Sequence, residues 1–250
     1  MRVELIAHTP EPELTVARAA RLCYSSADYK TISAKIVKER AQQFVRQLIQ
    51  VGHLSAIEHA SFTFLIEGVS RAMTHQLVRH RLASYSQQSQ RYVSHQATKS
   101  GGQFPYIIPP SVIKADMKEW FEEKMRLIQE WYDQLCERLE AIGLEGEDVY
   151  QDARYILPNA TQTRIMVTMN ARELRHFFSL RCCNRAQWEI RSVAIEMLKK
   201  VKSVAPSLFE DAGPACVRGP CPEGHRSCGK AEQVRQFFRG LCSKNNEPQS

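Results

Sequence analysis

Between Gln76 and Tyr92 the chain reads Gln-Leu-Val-Arg-His-Arg-Leu-Ala-Ser-Tyr-Ser-Gln-Gln-Ser-Gln-Arg-Tyr. Arg79, His80 and Arg81 are consecutive, Arg91 follows, and Ser84, Ser86, Gln87, Gln88, Ser89 and Gln90 lie between them. No Asp or Glu occurs from Gly68 to Ala115, in a chain that holds 27 of them. Arginine offers a planar fork of permanently charged donors that matches phosphate and carboxylate. Arg, Ser and Gln donors with no carboxylate to compete make an anion site by composition. The competing reading is a solvated basic face. Ser89 reads as a hydrogen-bonding ligand, because a nucleophilic serine needs an adjacent base and the chain has no Gly-x-Ser-x-Gly elbow.

Other chemistry-bearing residues are spread along the chain. Arg154 precedes Leu157-Pro158, and Asn170-x-Arg172 leads to His176 and then Leu180-Arg181-Cys182-Cys183. No Gly-x-Gly-x-x-Gly is present, so no dinucleotide sits in a Rossmann turn. Near the C-terminus, Cys216, Cys221 and Cys228, with His225 between them, lie in Gly/Pro-rich sequence. Three Cys and one His admit a zinc site, a disulfide or redox pair, or plain loop thiols. The spacing lacks a Cys-x2-Cys knuckle, and we assign no metal.

These groups need elements to position them. Arg2–Ala7 alternates like a strand, and Glu11–Leu22 has helical spacing. A second helix is predicted over about Ala34–Val51, capped by Thr31 or Ser33 and closed by Gly52. Ser61–Ile66 is a predicted strand with Phe62 and Phe64 on one face, and Ser70–Arg81 returns to helical period. The Ser/Gln run then reads as a loop, Arg91-Tyr92-Val93 as the start of a strand, and residues 95–111 as an exposed loop. Asp116–Ile142 is a long amphipathic helix, Glu147–Leu157 a further helix stopped by Pro158, and Thr161–Met169 a strand. Glu173–Leu180 and Trp188–Val204 complete the helices. Strands separated by more numerous helices fit an α/β or α+β fold.

The 250 residues are enough for one domain of ordinary to large size, or two small ones. A net charge of +7 favours anionic partners. No apolar run approaches the length of a membrane span, and Met1-Arg2-Val3-Glu4-Leu5-Ile6 lacks the long apolar region of a signal peptide. Both point to the cytosol, where the eight cysteines are reduced thiols rather than a disulfide framework.

The Arg-His-Arg triplet with the following Ser and Ser-x-Arg-Tyr resembles the signature of flavin-dependent thymidylate synthases. Gly52-His53-x-Ser55-x-x-Glu58-His59, Arg154-x-x-Leu157-Pro158, Asn170-x-Arg172-x-Leu174, Leu180-Arg181 and Ala186-Gln187-Trp188-Glu189-Ile190-Arg191 come in that family's order. The resemblance spans most of residues 1–210 and leaves 211–250 as a Cys/Gly/Pro-rich extension. It implies a central, mostly antiparallel sheet flanked by long helices. It also implies a homotetramer whose active sites are built from several subunits.

The implied activity is that of a flavoprotein methyltransferase. FAD is the carrier, 5,10-methylenetetrahydrofolate the carbon donor and NADPH the reductant, and dUMP becomes dTMP. The resemblance assigns the dUMP site to Gln76, Leu77, Val78, Arg79, Gln87, Gln88, Ser89, Gln90, Arg91, Arg154 and Arg181. Arg181 is the catalytic residue, polarising the uracil ring. FAD falls to Cys23, His53, Arg79, His80, Arg81, Gln87, Asn170, Ala171, Arg172 and His176. Three positions depart from the family pattern: Ser86-Gln87 stands where Asn-Glu is common, Cys23 stands for a serine, and His176 for an asparagine. Each keeps a polar group. The alternative is a nucleic-acid-binding module built on the basic stretch 68–115, and a third reading is a flavoprotein oxidoreductase with another acceptor.

Overall fold

The computed structural model describes residues 1–241. In chain order the elements are β1 (Arg2–His8), α1 (Pro12–Leu22), α2 (Tyr29–Lys35), α3 (Lys38–Gln50), β2 (Ser61–Ser70), α4 (Arg71–Leu77), β3 (Ala83–Gln87) and α5 (Ala97–Ser100). There follow α6 (Pro110–Lys114), α7 (Lys118–Ala141), α8 (Glu147–Ala153), β4 (Gln162–Asn170), α9 (Ala171–Arg181), α10 (Trp188–Val204), α11 (Pro206–Phe209) and α12 (Ala231–Gly240). The strands form one antiparallel sheet in the order β1-β2-β4-β3. The expected α/β (α+β) class is met. Among the described residues no helix is long and apolar enough to cross a membrane.

The chain divides into two compact units. One comprises residues 1–2, 66–79 and 86–165, and the other residues 3–65, 80–85 and 166 onward. In the second unit Phe62 and Phe64 share the buried face of β2, as their alternation predicts. Phe62 meets Phe209 edge-on at 5.4 Å, and Phe209 meets Phe178 at 6.0 Å. Each large apolar side chain removed from water stabilises the fold by roughly 1.5–3 kcal/mol, and edge-on rings add about 0.5–1.5 kcal/mol. Buried Arg175 on α9 grips Asp211 through two bonds of 2.8 and 3.0 Å, which ties the start of the C-terminal segment to this helix.

In the first unit α7 packs on α8 through Tyr132, Cys136, Val149 and Ala153. The same face of α7 buries Gln129, whose side chain reaches into residues 95–104. Phe104 N donates to Gln129 Oε1 at 2.6 Å, and Gln129 Nε2 donates to His95 O at 2.9 Å. Phe104 itself is fully buried. The segment 95–111 is therefore not the exposed loop that its Gly, Ser and Pro content predicts. One aromatic residue and one helix-borne amide override its composition.

Three further elements differ from expectation. The predicted helix Ala34–Val51 is two helices, because the β-branched pair Ile36-Val37 takes extended backbone between them. Asp28 rather than Thr31 or Ser33 caps the first, accepting from Thr31 N at 2.9 Å. The Ser/Gln run begins as strand β3, whose Ala-Ser-Tyr-Ser-Gln alternates half-buried and exposed. Beyond it Arg91–Val93 turns instead of extending: Val93 N bonds Ser89 O at 3.1 Å and Arg91 N bonds Ser89 Oγ at 3.1 Å. Gly52 closes α3 as expected. It adopts φ 78°, and His53 N reaches back to Leu48 O at 2.9 Å.

Candidate functional site

Helix α9 carries candidate residues at both ends. Asn170 is its N-cap, accepting from Glu173 N at 2.9 Å, and Arg181 is its last residue. Eleven residues is about three turns, ~16 Å along the axis. The Arg181 side chain is half-buried and fixed: its Nε donates to His80 Nε2 at 3.0 Å. His80 is buried, and its Nδ1 lies 3.3 Å from Glu173 Oε1, one turn into the same helix. An imidazole that accepts at Nε2 carries its proton on Nδ1, so the second contact is a neutral N–H facing a carboxylate. Burial first, and then the neighbouring charges of Arg181 and His176, push the His80 pKa down to about 4. Burial likewise pushes the Glu173 carboxyl up. Tyr85 OH holds the backbone of the same histidine, donating to His80 O at 2.8 Å.

A pH dependence follows from this arrangement. Between pH 6.5 and about 4 the unfolded chain takes up a proton at His80 that the folded chain refuses. This contribution to stability is complete above pH 6.5 and is lost as pH falls towards the folded value. Its full size is on the order of 3 kcal/mol. Glu173 works in the opposite sense above its ordinary value of 4.5, so the readout is the difference between variant and wild type. His80→Gln is expected to flatten the fall of Tm between pH 6.5 and 4.5. An acid slope equal to that of wild type would refute the assignment of a neutral His80.

In the second unit a cleft of about 650 Å³ brings together Asn170, Arg172 and His176 with Glu58, Arg175 and Arg218. Arg172 is paired with Glu58. The Asn170 cap uses Oδ1, and its NH2 group is the end left to donate. Ala171 is fully buried and its N–H bonds Ala60 O at 2.7 Å, so it offers the cleft neither side chain nor donor. His53 is exposed after the Gly52 turn that closes α3, with Nδ1 3.1 Å from Tyr24 OH, and Cys23 is exposed next to Tyr24. Arg81 is exposed while His80 points inward, so the triplet does not act as one face. A cleft of this volume with several cations suits a phosphate-bearing ligand with a flat ring.

In the first unit Gln90 and Arg154 line a smaller cleft of about 360 Å³ with Arg71, His75, Leu157 and Pro158 and no carboxylate. Burial, and then the charge of Arg154, lower the Arg71 pKa, which places two guanidiniums at one opening. Arg71 and His75 were not among the expected ligands. Their signal was the i, i+4 spacing on α4 inside the acid-free stretch. Arg154 Nε donates to Gln151 O at 3.1 Å rather than pairing with an acid of its own helix. Arg91 Nε is shielded from solvent and makes no hydrogen bond, although Glu147 Oε2 lies 3.4 Å away. Gln87 is committed to Thr74 Oγ1 at 3.0 Å and Gln88 N to Arg164 O at 3.0 Å. Gln76 is half-buried, Leu77 is buried in the core, and Val78 and Arg79 are exposed at the end of α4. With Leu77 and His95 buried, the acid-free stretch does not present one continuous basic surface.

Arg181 also borders a cleft with Cys183, Cys216, Cys221 and Glu223. Arg235 holds this thiol-rich segment, donating to Cys216 O at 2.8 Å and Gly219 O at 3.0 Å. Among the described residues every cysteine is a free thiol, and no group of three His, Cys, Asp or Glu is arranged to hold a metal. Cys242 lies outside the described residues. Burial pushes the thiols of Cys182 and Cys216 up, away from thiolate.

A family model described as thymidylate synthase complementing protein matches residues 4–207. A flavin-dependent thymidylate synthase of Geobacter sulfurreducens is 52% identical over 242 residues, covering 96% of this chain and 99% of the relative. One of Clostridium tetani is 49% identical over 247 residues, covering 95% and 97%. One of Nitratidesulfovibrio vulgaris is 49% identical over 237 residues, covering 92% and 94%. Matches of this length take in α4, residues 154–159 and α9, which carry the two clefts and the fixed arginine. The chain belongs to the flavin-dependent thymidylate synthase family.

Proposed function

We propose that this protein reductively methylates dUMP to dTMP, with 5,10-methylenetetrahydrofolate as carbon donor and NADPH as reductant. The observation that carries the reading is Arg181, held by buried, neutral His80 with its guanidinium otherwise directed to an open cleft. Methylation requires electron density at C5 of the uracil ring. A permanently charged donor at the ring edge favours the charge that develops on N3 and its carbonyls. His80 and Glu173 are positioning residues in this scheme, because they act through Arg181. No thiolate is called on, in keeping with the raised Cys182 and Cys216.

The phosphate of dUMP is assigned to the acid-free cleft, with Arg154, Gln90 and Arg71 as donors and Gln76, Arg79, Ser89 and Arg91 as further ligands. FAD is assigned to the cleft of Asn170, Arg172 and His176, whose volume and cations fit a phosphate-bearing ring system. When bound it would carry hydride from NADPH to the new methyl group. Arg172 would exchange Glu58 for a phosphate, and the Asn170 amide would donate to the ring edge. Cys23, His53, Arg79, His80, Arg81, Gln87 and Ala171 complete the family's flavin set, His80 and Ala171 only indirectly. Residues 1–210 carry the family's motifs, and 211–250 are an extension that adds Arg218 to the flavin cleft and Cys216, Cys221 and Glu223 to the cleft beside Arg181.

A homotetramer with shared sites is part of the proposal. Leu82 is 73% exposed, Trp131 50% and Tyr155 85%, and the last belongs to the phosphate cleft. Exposed apolar groups such as these, with Leu82 and Tyr155 beside binding clefts, suit burial by a second copy. The test is direct. Purified protein is expected to show a flavin band at about 450 nm and to form dTMP from dUMP, methylenetetrahydrofolate and NADPH. A protein that shows the band but turns over without dUMP would be a different flavoprotein, and one without the band would end the reading.

A further inference from the structure

A cleft of about 440 Å³ between α1, α2 and α3 has no part in the scheme above. Arg21, Lys35 and Arg40 line it together with Gln43, Gln47 and Phe44, and no carboxylate is in its wall. Among the described residues none of the three cations has an acidic partner. Arg21 instead lies over the Phe44 ring, 5.3 Å from its centroid. Residues 18–46 hold seven Lys or Arg against two acids, so +5 of the chain's +7 is concentrated here. One of those acids, Asp28, is occupied in capping α2. Three unpaired cations around one concavity with amide donors and an aromatic floor match a polyanion that carries a flat ring.

The cleft is joined to the flavin candidates through the end of α1. Arg21 faces the cleft, and three residues on Tyr24 turns to His53, its hydroxyl 3.1 Å from Nδ1 and the rings stacked at 6.5 Å. Ser25, the neighbour of Tyr24, lines this cleft, and Leu54, the neighbour of His53, lines the cleft of Asn170, Arg172 and His176, so the stacked pair stands between residues of both. Asn170, Arg172 and His176 line a different cleft of the same unit, so the flavin assignment does not use these cations.

We propose that the Arg21/Lys35/Arg40 cleft binds the phosphates of the reduced nicotinamide dinucleotide, with Tyr24 at the passage to the flavin. The inference rests on the flavin reading above. Three cations match the three phosphates of NADPH better than the carboxylates of a folate.

The test uses holoenzyme with Lys35→Glu and Arg40→Glu combined, and Lys35→Gln with Arg40→Gln as the milder pair. Both positions are exposed, so folding is preserved. The dissociation constant of NADP+ and the KM for NADPH in anaerobic flavin reduction are expected to rise at least about tenfold in the charge reversal. FAD content is expected to stay at the wild-type level. Formation of dTMP after reduction by dithionite is expected to remain within about twofold. Added salt should weaken NADP+ binding in wild type and far less in the variant. Unchanged NADP+ affinity would overturn the proposal. Loss of FAD would overturn it too, by giving the cleft to the flavin's own phosphates, and so would a raised KM for the folate alone. A wild-type protein without flavin would end the preceding reading, yet the NADP+ titration would still decide this one.

Discussion

Arg181→Ala is expected to lower dTMP formation by about 10²–10³ while FAD stays bound and NADPH still reduces it. The arginine sits at the far end of α9 from Asn170 and Arg172, so removing it leaves the flavin cleft intact. A donor that acts on charge developing in the ring serves the transition state more than the ground state, and its loss falls on the chemical step. Arg181→Lys is expected to recover little. Lysine has one nitrogen where arginine uses Nε on His80, 3.0 Å away, and still presents the outer fork to a ligand. Flavin reduction and dTMP formation should be measured separately in each variant. Methyl transfer within a few-fold of wild type, or flavin lost together with the arginine, would remove Arg181 from the mechanism.

Deoxyuridine is expected to bind at least about a hundredfold more weakly than dUMP. A charge-assisted hydrogen bond contributes about 1.5–3 kcal/mol, and each 1.4 kcal/mol is about tenfold in affinity, so losing two suffices. Arg71 and Arg154 supply two such donors at an opening without a carboxylate. Burial, and after it the charge of Arg154, lower the Arg71 pKa, and a dianion that enters relieves the repulsion between the two guanidiniums. Titration of wild type and of the Arg71→Ala/Arg154→Ala pair with both ligands separates the phosphate from the base. In the double variant the gap between dUMP and deoxyuridine should close to within about tenfold. A nucleoside that binds wild type as tightly as the nucleotide would dismiss the phosphate cleft.

Strong periodicity made the helices legible. Trp188–Val204 forms at the predicted bounds, and Lys118–Ala141 lies within the predicted Asp116–Ile142. Strand β4 and the Phe62/Phe64 face were equally plain, since period-2 alternation has one structural meaning. Strand β3 was hidden by its Ser and Gln content, because its partner is a distant strand that local composition does not report. The site divides the same way. Arg154 and Gln90 do meet at one cleft, but Arg71 and His75 join them only because α4 turns them there. His80 was expected to contact FAD together with Arg79 and Arg81. Its burial and its place between Arg181 and Glu173 are consequences of tertiary packing against Phe177, 4.9 Å away.

Gln129 has a consequence beyond its hydrogen bonds. A side-chain amide carries the same donor and acceptor as a peptide group, so α7 offers residues 95–104 a single rung of sheet without being a strand. That rung reads backbone atoms, His95 O and Phe104 N, and is indifferent to which side chains hang from the positions between them. Between those two points α7 and α8 hold the segment further: Ala97 N donates to Asp133 Oδ1 at 3.1 Å, Lys99 Nζ to Tyr150 OH at 2.6 Å and Gln103 Nε2 to Met125 O at 3.0 Å. Gln129 and the buried Phe104 ring thus keep the ends of the segment in place, and the contacts between them set its path.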